Sequence, residues 1–339
     1  MKILVTGGLG YIGSHTAVKL SKHFEVLIVD NLINSNISVI DSINKISFSK
    51  VYFEKGDLTD LSIVKRLFKK NQDIKGIIHF AALKSVKESI EDPTSYYHNN
   101  IVSLFNLLSE IKSNKMDVNF IFSSSATVYG EPENLPITET ETIKKATSPY
   151  GNTKQICEEI LTNFSKSNNY FNCISLRYFN PIGSHSSSEI GELPVGVPQN
   201  LIPYITQSVA GIREQLTVFG DDYPTNDGTC IRDYIHVEDL ANSHVIALNY
   251  LIKNKSIKND FFNIGTGKGT SVFEVIKSFE KVTGKKVNFK IGPRRNGDTI
   301  KVYADNKKAQ KVLGWKSKFS LEDALLSAWN WEKKVRDIN

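Results

Sequence analysis

Gly7, Gly10 and Gly13 follow the apolar run Ile3-Leu4-Val5 and open onto a segment with helical spacing, Gly13–Leu20. No other feature of the 339 residues constrains the fold as much. Three glycines at intervals of three, between a strand and a helix, let the backbone turn tightly, bare one side of the loop and pack the helix onto the strand. The rest of the first half continues the pattern. Val26–Val29, Val51–Glu54, Gly76–Phe80, Asn119–Ser123 and Cys173–Arg177 read as short buried strands, separated by helical spacing at Leu61–Lys69, Tyr97–Lys112 and Pro149–Phe164. Such alternation predicts a parallel sheet with helices on both faces.

Beyond residue 180 the pattern loosens. Pro181 to Pro203 contains four prolines and several glycines and reads as loop. Regular spacing returns at Leu201–Gly211, Val237–Leu251, Ser271–Thr283 and Leu321–Lys334. The expected fold class is α/β: a Rossmann-type doubly wound parallel sheet with a smaller, mixed α/β C-terminal substrate lobe. The expected division is 1–180 for the dinucleotide domain, with returns from about 237–265, and 181–339 mainly for the lobe.

A glycine loop alone is weak evidence for a ligand, but an acid closes the second strand at Asp30. A carboxylate there accepts hydrogen bonds from the adenosine ribose and repels a 2′-phosphate, so the cofactor expected is NAD rather than NADP. Asp57, beside Leu58, follows the third strand, where it can meet the adenine amino group. Phe80, Ala81 and Ala82 end the fourth strand with room for a cofactor, and Lys84 lies just beyond. His79 reads as a packed core histidine. The seven histidines show no metal-ligand spacing, and no metal is expected.

Tyr150 and Lys154 are four residues apart at the start of the helix introduced by Ser148-Pro149, so they share a face. A free tyrosine titrates near ~10. A neighbouring ammonium and the positive ring of NAD⁺ favour the phenolate, which can then exchange a proton with a sugar hydroxyl. Ser123-Ser124-Ser125 ends the preceding strand at the sheet's carboxyl edge, and Ser125 can hold the same oxygen.

Composition narrows the partners. The formal charge is +6, but the lysines are scattered, so neither nucleic acid nor a membrane surface is expected. The three cysteines, Cys157, Cys173 and Cys230, form no CxxC pair and suit a reducing compartment. The start Met1-Lys2 followed by a strand has no leader character, and no apolar run is long enough to span a bilayer. The expected location is cytoplasmic.

The chain resembles the extended short-chain dehydrogenase/reductase family and, within it, the UDP-glucose 4-epimerases. The match runs from Met1 to about Trp331. It is carried by Thr6–His15, Ser123–Gly130, Arg177–Pro181, Gly228–Val237 and Arg294-Arg295-Asn296-Gly297-Asp298. The resemblance implies Ser125, Tyr150 and Lys154 as the catalytic trio. It implies an NAD site of Gly7, Gly10, Tyr11, Ile12, Gly13, Asp30, Asn31, Asn34, Asp57, Leu58, Phe80, Ala81, Lys84, Asn99, Ser123, Tyr150, Lys154 and Tyr178. For the UDP-sugar it implies Lys84, Ser125, Tyr150, Asn180, Asn200, Leu201, Thr217, Phe219, Arg232, Arg295, Asp298 and Val302. Two arginines suit a diphosphate, Phe219 a uracil ring and Asp298 a ribose hydroxyl.

The implied reaction interconverts UDP-glucose and UDP-galactose through a 4-keto intermediate that turns over and receives its hydride on the other face. At Val302 the family carries tyrosine in hexose-only enzymes and smaller residues in those that take N-acetylated sugars. Valine there extends the expectation to UDP-GlcNAc and UDP-GalNAc. The resemblance also implies a homodimer in which Tyr97–Lys112 and Pro149–Phe164 pair with their copies. Two alternatives share the scaffold. A sugar-nucleotide 4,6-dehydratase needs an Asp-Glu pair near the serine, where this chain has Ala126-Thr127-Val128. A non-catalytic NAD-sensing regulator would have lost Tyr150 or Lys154.

Overall fold

The computed structural model describes residues 1–295 and 298–338. Asn296 and Gly297, inside the Arg294–Asp298 string, lie outside the described residues, as does Asn339.

Seven strands form one parallel sheet: β1 (Lys2–Thr6), β2 (Glu25–Asp30), β3 (Val51–Lys55), β4 (Ile74–His79), β5 (Val118–Ser125), β6 (Phe171–Tyr178) and β7 (Asn259–Ile264). Their order is β7-β6-β5-β4-β1-β2-β3. The chain starts in the middle, winds one way through β2 and β3, then crosses to β4 and winds the other way. The crevice between the carboxyl ends of β1 and β4 is therefore the switch point, where ligands bind in such sheets.

The period of two along each strand explains why the strands read as unbroken apolar runs. Ile3 and Val5 belong to one core cluster with Val26, Ile28, Ile78 and Ile121, while Leu4 belongs to another with Leu27, Val29, Ile77, Phe120 and Phe122. Both faces are covered over the middle of the sheet, so successive positions of the central strands are apolar there. Each such side chain, fully buried, contributes roughly 1.5–3 kcal/mol of transfer free energy.

Four helices matter for the site: α1 (Tyr11–Leu20), α2 (Pro93–Ser113), α3 (Pro149–Ser167) and α4 (Val237–Lys253). α2 and α3 start alike. An Asp92 or Ser148 side chain accepts a hydrogen bond from the backbone N–H of Ser95 or Gly151, and a proline fills the first helical position, where no N–H is needed. Two short helices, Val39–Ile46 and Val86–Glu91, are additions to the expected elements, although Val39, Ile40, Ile43 and Ile46 do recur at helical spacing. The first buries only Ile43 completely, and the second is too short to show a period.

The C-terminal lobe has its own core, built from Ile202, Ile205, Val218, Val275, Phe279, Leu325 and Trp329. It is threaded by short strand pairs. Asn180–Ile182 runs beside Tyr234–His236, and Leu216–Phe219 beside Phe289–Gly292. Ile231–Arg232 lies between Thr270–Ser271 and Lys301–Val302. Part of the stretch from Pro181 to Pro203 is thus strand and helix start. Pro203 sits in the first turn of Leu201–Val209, where its missing N–H costs nothing. No helix among the described residues is long and apolar enough to cross a membrane.

Candidate active site

The glycine loop occupies the switch-point crevice, and each glycine there has a different reason. Gly7 has φ +66, and a Cβ on it would lie 2.7 Å from the backbone N of Ala81, just past β4. A Cβ on Gly13 would lie 2.4 Å from the Gly7 carbonyl oxygen. A Cβ on Gly10 would meet only that same oxygen, at 3.2 Å, so the other side of Gly10 is open. Gly10 caps α1 without a side-chain hydrogen bond. The first-turn N–H groups of α1 therefore face an open concavity at the positive end of the helix, which is what a diphosphate requires.

Asp30 stands at the rim of this cradle. Its Oδ2 accepts from the backbone N–H of Leu9 at 3.1 Å, and its Oδ1 from the Leu32 N–H at 2.9 Å and the Ser35 hydroxyl at 2.8 Å. That turn forces Leu32 to φ 68, an unusual conformation for a side chain of its size. A carboxylate oxygen takes two bonds, so Oδ2 keeps capacity for a ribose hydroxyl. Asn31 donates to Asp57 Oδ2 at 3.0 Å, linking the ends of β2 and β3. Burial would raise Asp57, but hydrogen bonds from Thr59 and Asn31 outweigh it and hold the carboxyl below its usual value. Leu58 is in the core, Ile12 is half-buried and Asn34 is exposed. The residues at the cradle thus fit a dinucleotide with a free 2′-hydroxyl.

Phe80 packs against His244 with ring centroids 4.7 Å apart. His79 is buried, its Nδ1 2.7 Å from Thr6 Oγ1, and burial pushes its ring down to about 3. It is a neutral tie between β4 and β1. Asn99 donates to Asn100 at 3.0 Å. Asn100, which the sequence does not single out, accepts from the Leu83 N–H and donates to the Leu83 carbonyl and to Thr153. It ties α2 to the β4 loop and to α3.

At the head of α3, Tyr150 is half-buried and Lys154 buried. Lys154 Nζ donates to the Ser123 carbonyl at 2.7 Å and lies 5.8 Å from the centre of the Tyr150 ring. Burial pushes Lys154 down to about 8, against the pull of Cys157 and Glu158. Burial also pushes Tyr150 up to about 12, opposed by a hydrogen bond with Ser125. Desolvation is thus the larger effect on the phenol, and it favours the protonated form. Burial likewise raises Tyr178, with Ser123 opposing the shift and Tyr150 adding to it. Its hydroxyl is 3.2 Å from His244 Nε2.

The lobe brings charged and aromatic groups toward this edge. Asp298 lies between two arginines. Arg295 donates to both its oxygens at 2.9 and 3.0 Å, and Arg232 Nη2 is 3.7 Å from Oδ1. The Arg295 guanidinium sits over the Phe219 ring at 5.0 Å. Thr217, two residues before Phe219, pairs with Lys290, and Asn180 pairs with Tyr234. Val302 pairs with Arg232 and packs on the cluster of Val128, Tyr129, Ile137 and Phe179, which follows directly from Ser125. Tyr303 packs against Gly269 instead.

Two contacts across the cleft have no motif behind them. Tyr11 donates its hydroxyl to the Gly183 carbonyl at 2.6 Å, joining the glycine loop to the lobe. Glu192 Oε1 accepts from Asn200 at 2.8 Å and from Lys84 at 3.4 Å. Asn200 caps the helix that starts at Leu201, so this carboxylate already engages two of the residues expected to meet substrate. Among the described residues no group of three or more His, Cys, Asp or Glu side chains is arranged to hold a metal ion.

The GDP-mannose 4,6 dehydratase family matches residues 4–327 of the chain. The UDP-glucose 4-epimerase of Bacillus subtilis (strain 168) is 46% identical over 333 residues, 98% of this chain and 97% of that protein. Two solved structures have nearly the same fold over 100% of both chains. One is a UDP-glucose-4-epimerase from Stenotrophomonas maltophila with bound NAD and formylated UDP-arabinopyranose, at TM-score 0.95 and 43% identity. The other is UDP-glucose 4-epimerase from Bifidobacterium longum in complex with NAD+ and UDP, at TM-score 0.94 and 42% identity.

Proposed function

The chain belongs to the UDP-glucose 4-epimerase family, and we propose that Tyr150 moves the proton in its reaction while Lys154 and Ser125 hold the phenol in place. The protein is an NAD-dependent isomerase that interconverts UDP-glucose and UDP-galactose. The dehydratase in the name of the matching family does not extend to this chain, because Ala126 and Thr127 stand where an additional acid–base pair would be needed.

One observation carries the assignment of roles: Tyr150 lies one turn from a lysine that is anchored on the carbonyl of Ser123 and stands 5.8 Å from the centre of the phenol ring. When bound, NAD supplies the acceptor and donor of the C4 hydride and a positive charge beside the phenol. The glycine loop and Asp30 bind the cofactor. Tyr150 takes the proton of the sugar 4-hydroxyl and returns it, with Ser125 on the same oxygen. Lys154, at about 8, keeps a cationic fraction at neutral pH that favours the phenolate. Arg232 and Arg295 grip the diphosphate while Phe219, Asn180, Asn200, Leu201, Thr217 and Lys84 line the rest. A firm hold on UDP and a loose one on the hexose lets the sugar present both faces. Purified protein given UDP-galactose should form UDP-glucose, and Tyr150→Phe should lower kcat by about 10²–10⁴. Turnover unchanged in that variant would remove Tyr150 from the role.

Val302 supports acceptance of the N-acetylated pair as well. Its side chain is small and packs beside Arg232 and the turn after Ser125. Val302→Tyr should abolish turnover of UDP-GlcNAc and spare UDP-galactose; loss of both, or of neither, would defeat this reading.

A homodimer through α2 and α3 belongs to the same proposal. Phe105 on α2 is 59% exposed, the kind of side chain a partner helix would cover. Light scattering at the mass of one chain would refute it. A cytoplasmic location is supported by three free, buried thiols and is checked by cell fractionation.

A further inference from the structure

We propose that Glu158 is a positioning residue for the epimerase reaction, fixing the rotation of the helix that carries Tyr150 and Lys154 against the serine-ended strand. This rests on the roles given above to Tyr150 and Lys154.

Residues 150, 154 and 158 follow one another at intervals of four and share one face of α3. Each meets one of the last three residues of β5. Lys154 donates to the Ser123 carbonyl at 2.7 Å and Ser124 donates to Glu158 Oε1 at 2.6 Å, while Ser125 is the neighbour that pulls the Tyr150 phenol down against burial. Glu158 therefore gives the helix a second anchor on β5, one residue along from the carbonyl that holds Lys154.

Arg177 braces the carboxylate. It sits directly beside Ser124 in the sheet, with Nε 2.9 Å from Oε1 and Nη2 2.7 Å from Oε2. Its remaining arm donates to the Tyr129 hydroxyl at 3.0 Å, which donates to Asn263 Oδ1 at 2.6 Å. The guanidinium lies between the rings of Tyr129 and Phe261, at 4.9 and 4.6 Å from their centres. Ser124, Glu158, Arg177, Tyr129 and Asn263 are all buried.

An ion pair so dry is a poor source of stability, because desolvating both charges offsets their attraction and apolar side chains of the same volume would serve as well. A bidentate pair is directional where apolar packing is not. Rotating α3 by one residue would swing it through about 100° and carry the phenol away from Ser125. The carboxylate also acts on the lysine. The ionisable groups around Lys154 are Tyr150, Cys157 and Glu158 on its own helix, His79 at the end of β4, and Arg177 on β6 behind Glu158. Burial keeps the first two protonated, up at about 12, and His79 neutral, down at about 3. Cys157 and Glu158 both favour the ammonium form of Lys154, and Glu158 is the one of the two that also holds the strand.

The test uses the NAD-loaded protein with UDP-galactose. Ser124→Ala removes one hydrogen bond and leaves the ion pair, so it should fold normally. Its kcat should drop about fivefold to tenfold, with KM and NAD content within twofold of the parent. Glu158→Gln should drop kcat about 100-fold and move the alkaline limb of the kcat–pH profile to lower pH, because Lys154 loses its counter-charge. Parental kcat and pH profile in both variants, with only the melting temperature lowered, would overturn the proposal, as would parental kcat in Ser124→Ala if Glu158→Gln fails to fold. Tyr150→Phe, run alongside, separates the failures: if it too turns over normally, the role of Tyr150 is what fails.

Discussion

Gly10→Ala and Gly13→Ala should separate cofactor binding from the packing of α1. The Gly10 backbone is at φ −73 and ψ 174, a conformation any residue adopts. Its added methyl would meet only the Gly7 carbonyl oxygen, at 3.2 Å. The ligand-free fold should therefore lose less than about 1 kcal/mol. The methyl would stand on the open side of the loop, however, between the approaching diphosphate and the N–H groups of α1. A displacement of about 1 Å costs on the order of 100-fold in well-aligned interactions. At Gly13 the methyl would lie 2.4 Å from the Gly7 oxygen and 2.8 Å from Gly8 Cα, both backbone atoms that cannot rotate aside. The helix must then retreat by about an ångström, with an overpacking cost of about 1–3 kcal/mol even without ligand. Thermal melts of NAD-stripped protein, repeated with NAD at 100 times the parental Kd, read both effects. The parent should gain about 2.7 kcal/mol and Gly10→Ala only about 0.4 kcal/mol. Gly13→Ala should already melt low before NAD is added. If Gly10→Ala gains the full NAD stabilisation, the anion does not approach that side of the loop and the reasoning fails.

Further outcomes follow from the same geometry. Asp30→Asn removes the charge that meets the ribose and should weaken NAD by at least about tenfold while narrowing the preference over NADP; an unchanged NAD-to-NADP affinity ratio would count against it. Glu192→Gln loosens the hold on Lys84 and Asn200, and because Lys84 is largely exposed the gain in UDP affinity should be at most about fivefold. Calorimetry showing weaker UDP binding would refute it. Acid should destabilise the fold strongly. Burial lowers His15, His236 and His244 to about 4 and His79 to about 3, all below their unfolded value of 6.5. Between these values the unfolded chain binds more protons than the native one, so unfolding free energy falls as pH drops from 6.5 toward 4, by roughly 3 kcal/mol per histidine. Denaturant titrations showing equal stability at pH 7 and pH 4.5 would contradict this.

Much of this protein could be read from the chain because the signals are local. Strand–helix alternation was enough to expect the doubly wound sheet, since apolar runs, the proline at Pro149 and side-chain caps such as Ser148 act within a few residues. The glycine loop, Asp30 and the Tyr150–Lys154 pair were equally visible, because each rests on spacing or on position next to a strand end. Folding decided what depends on residues far apart. Glu192 meets Lys84 across 108 positions, Tyr11 meets Gly183 across 172, and Ser124, Glu158 and Arg177 converge from two strands and a helix. No motif announces such contacts, since their cause is the closure of the cleft and the register of neighbouring strands. The protonation of Tyr150 is also a tertiary matter. Spacing puts a lysine one turn away, but burial, which only the packed fold sets, pushes the phenol up to about 12.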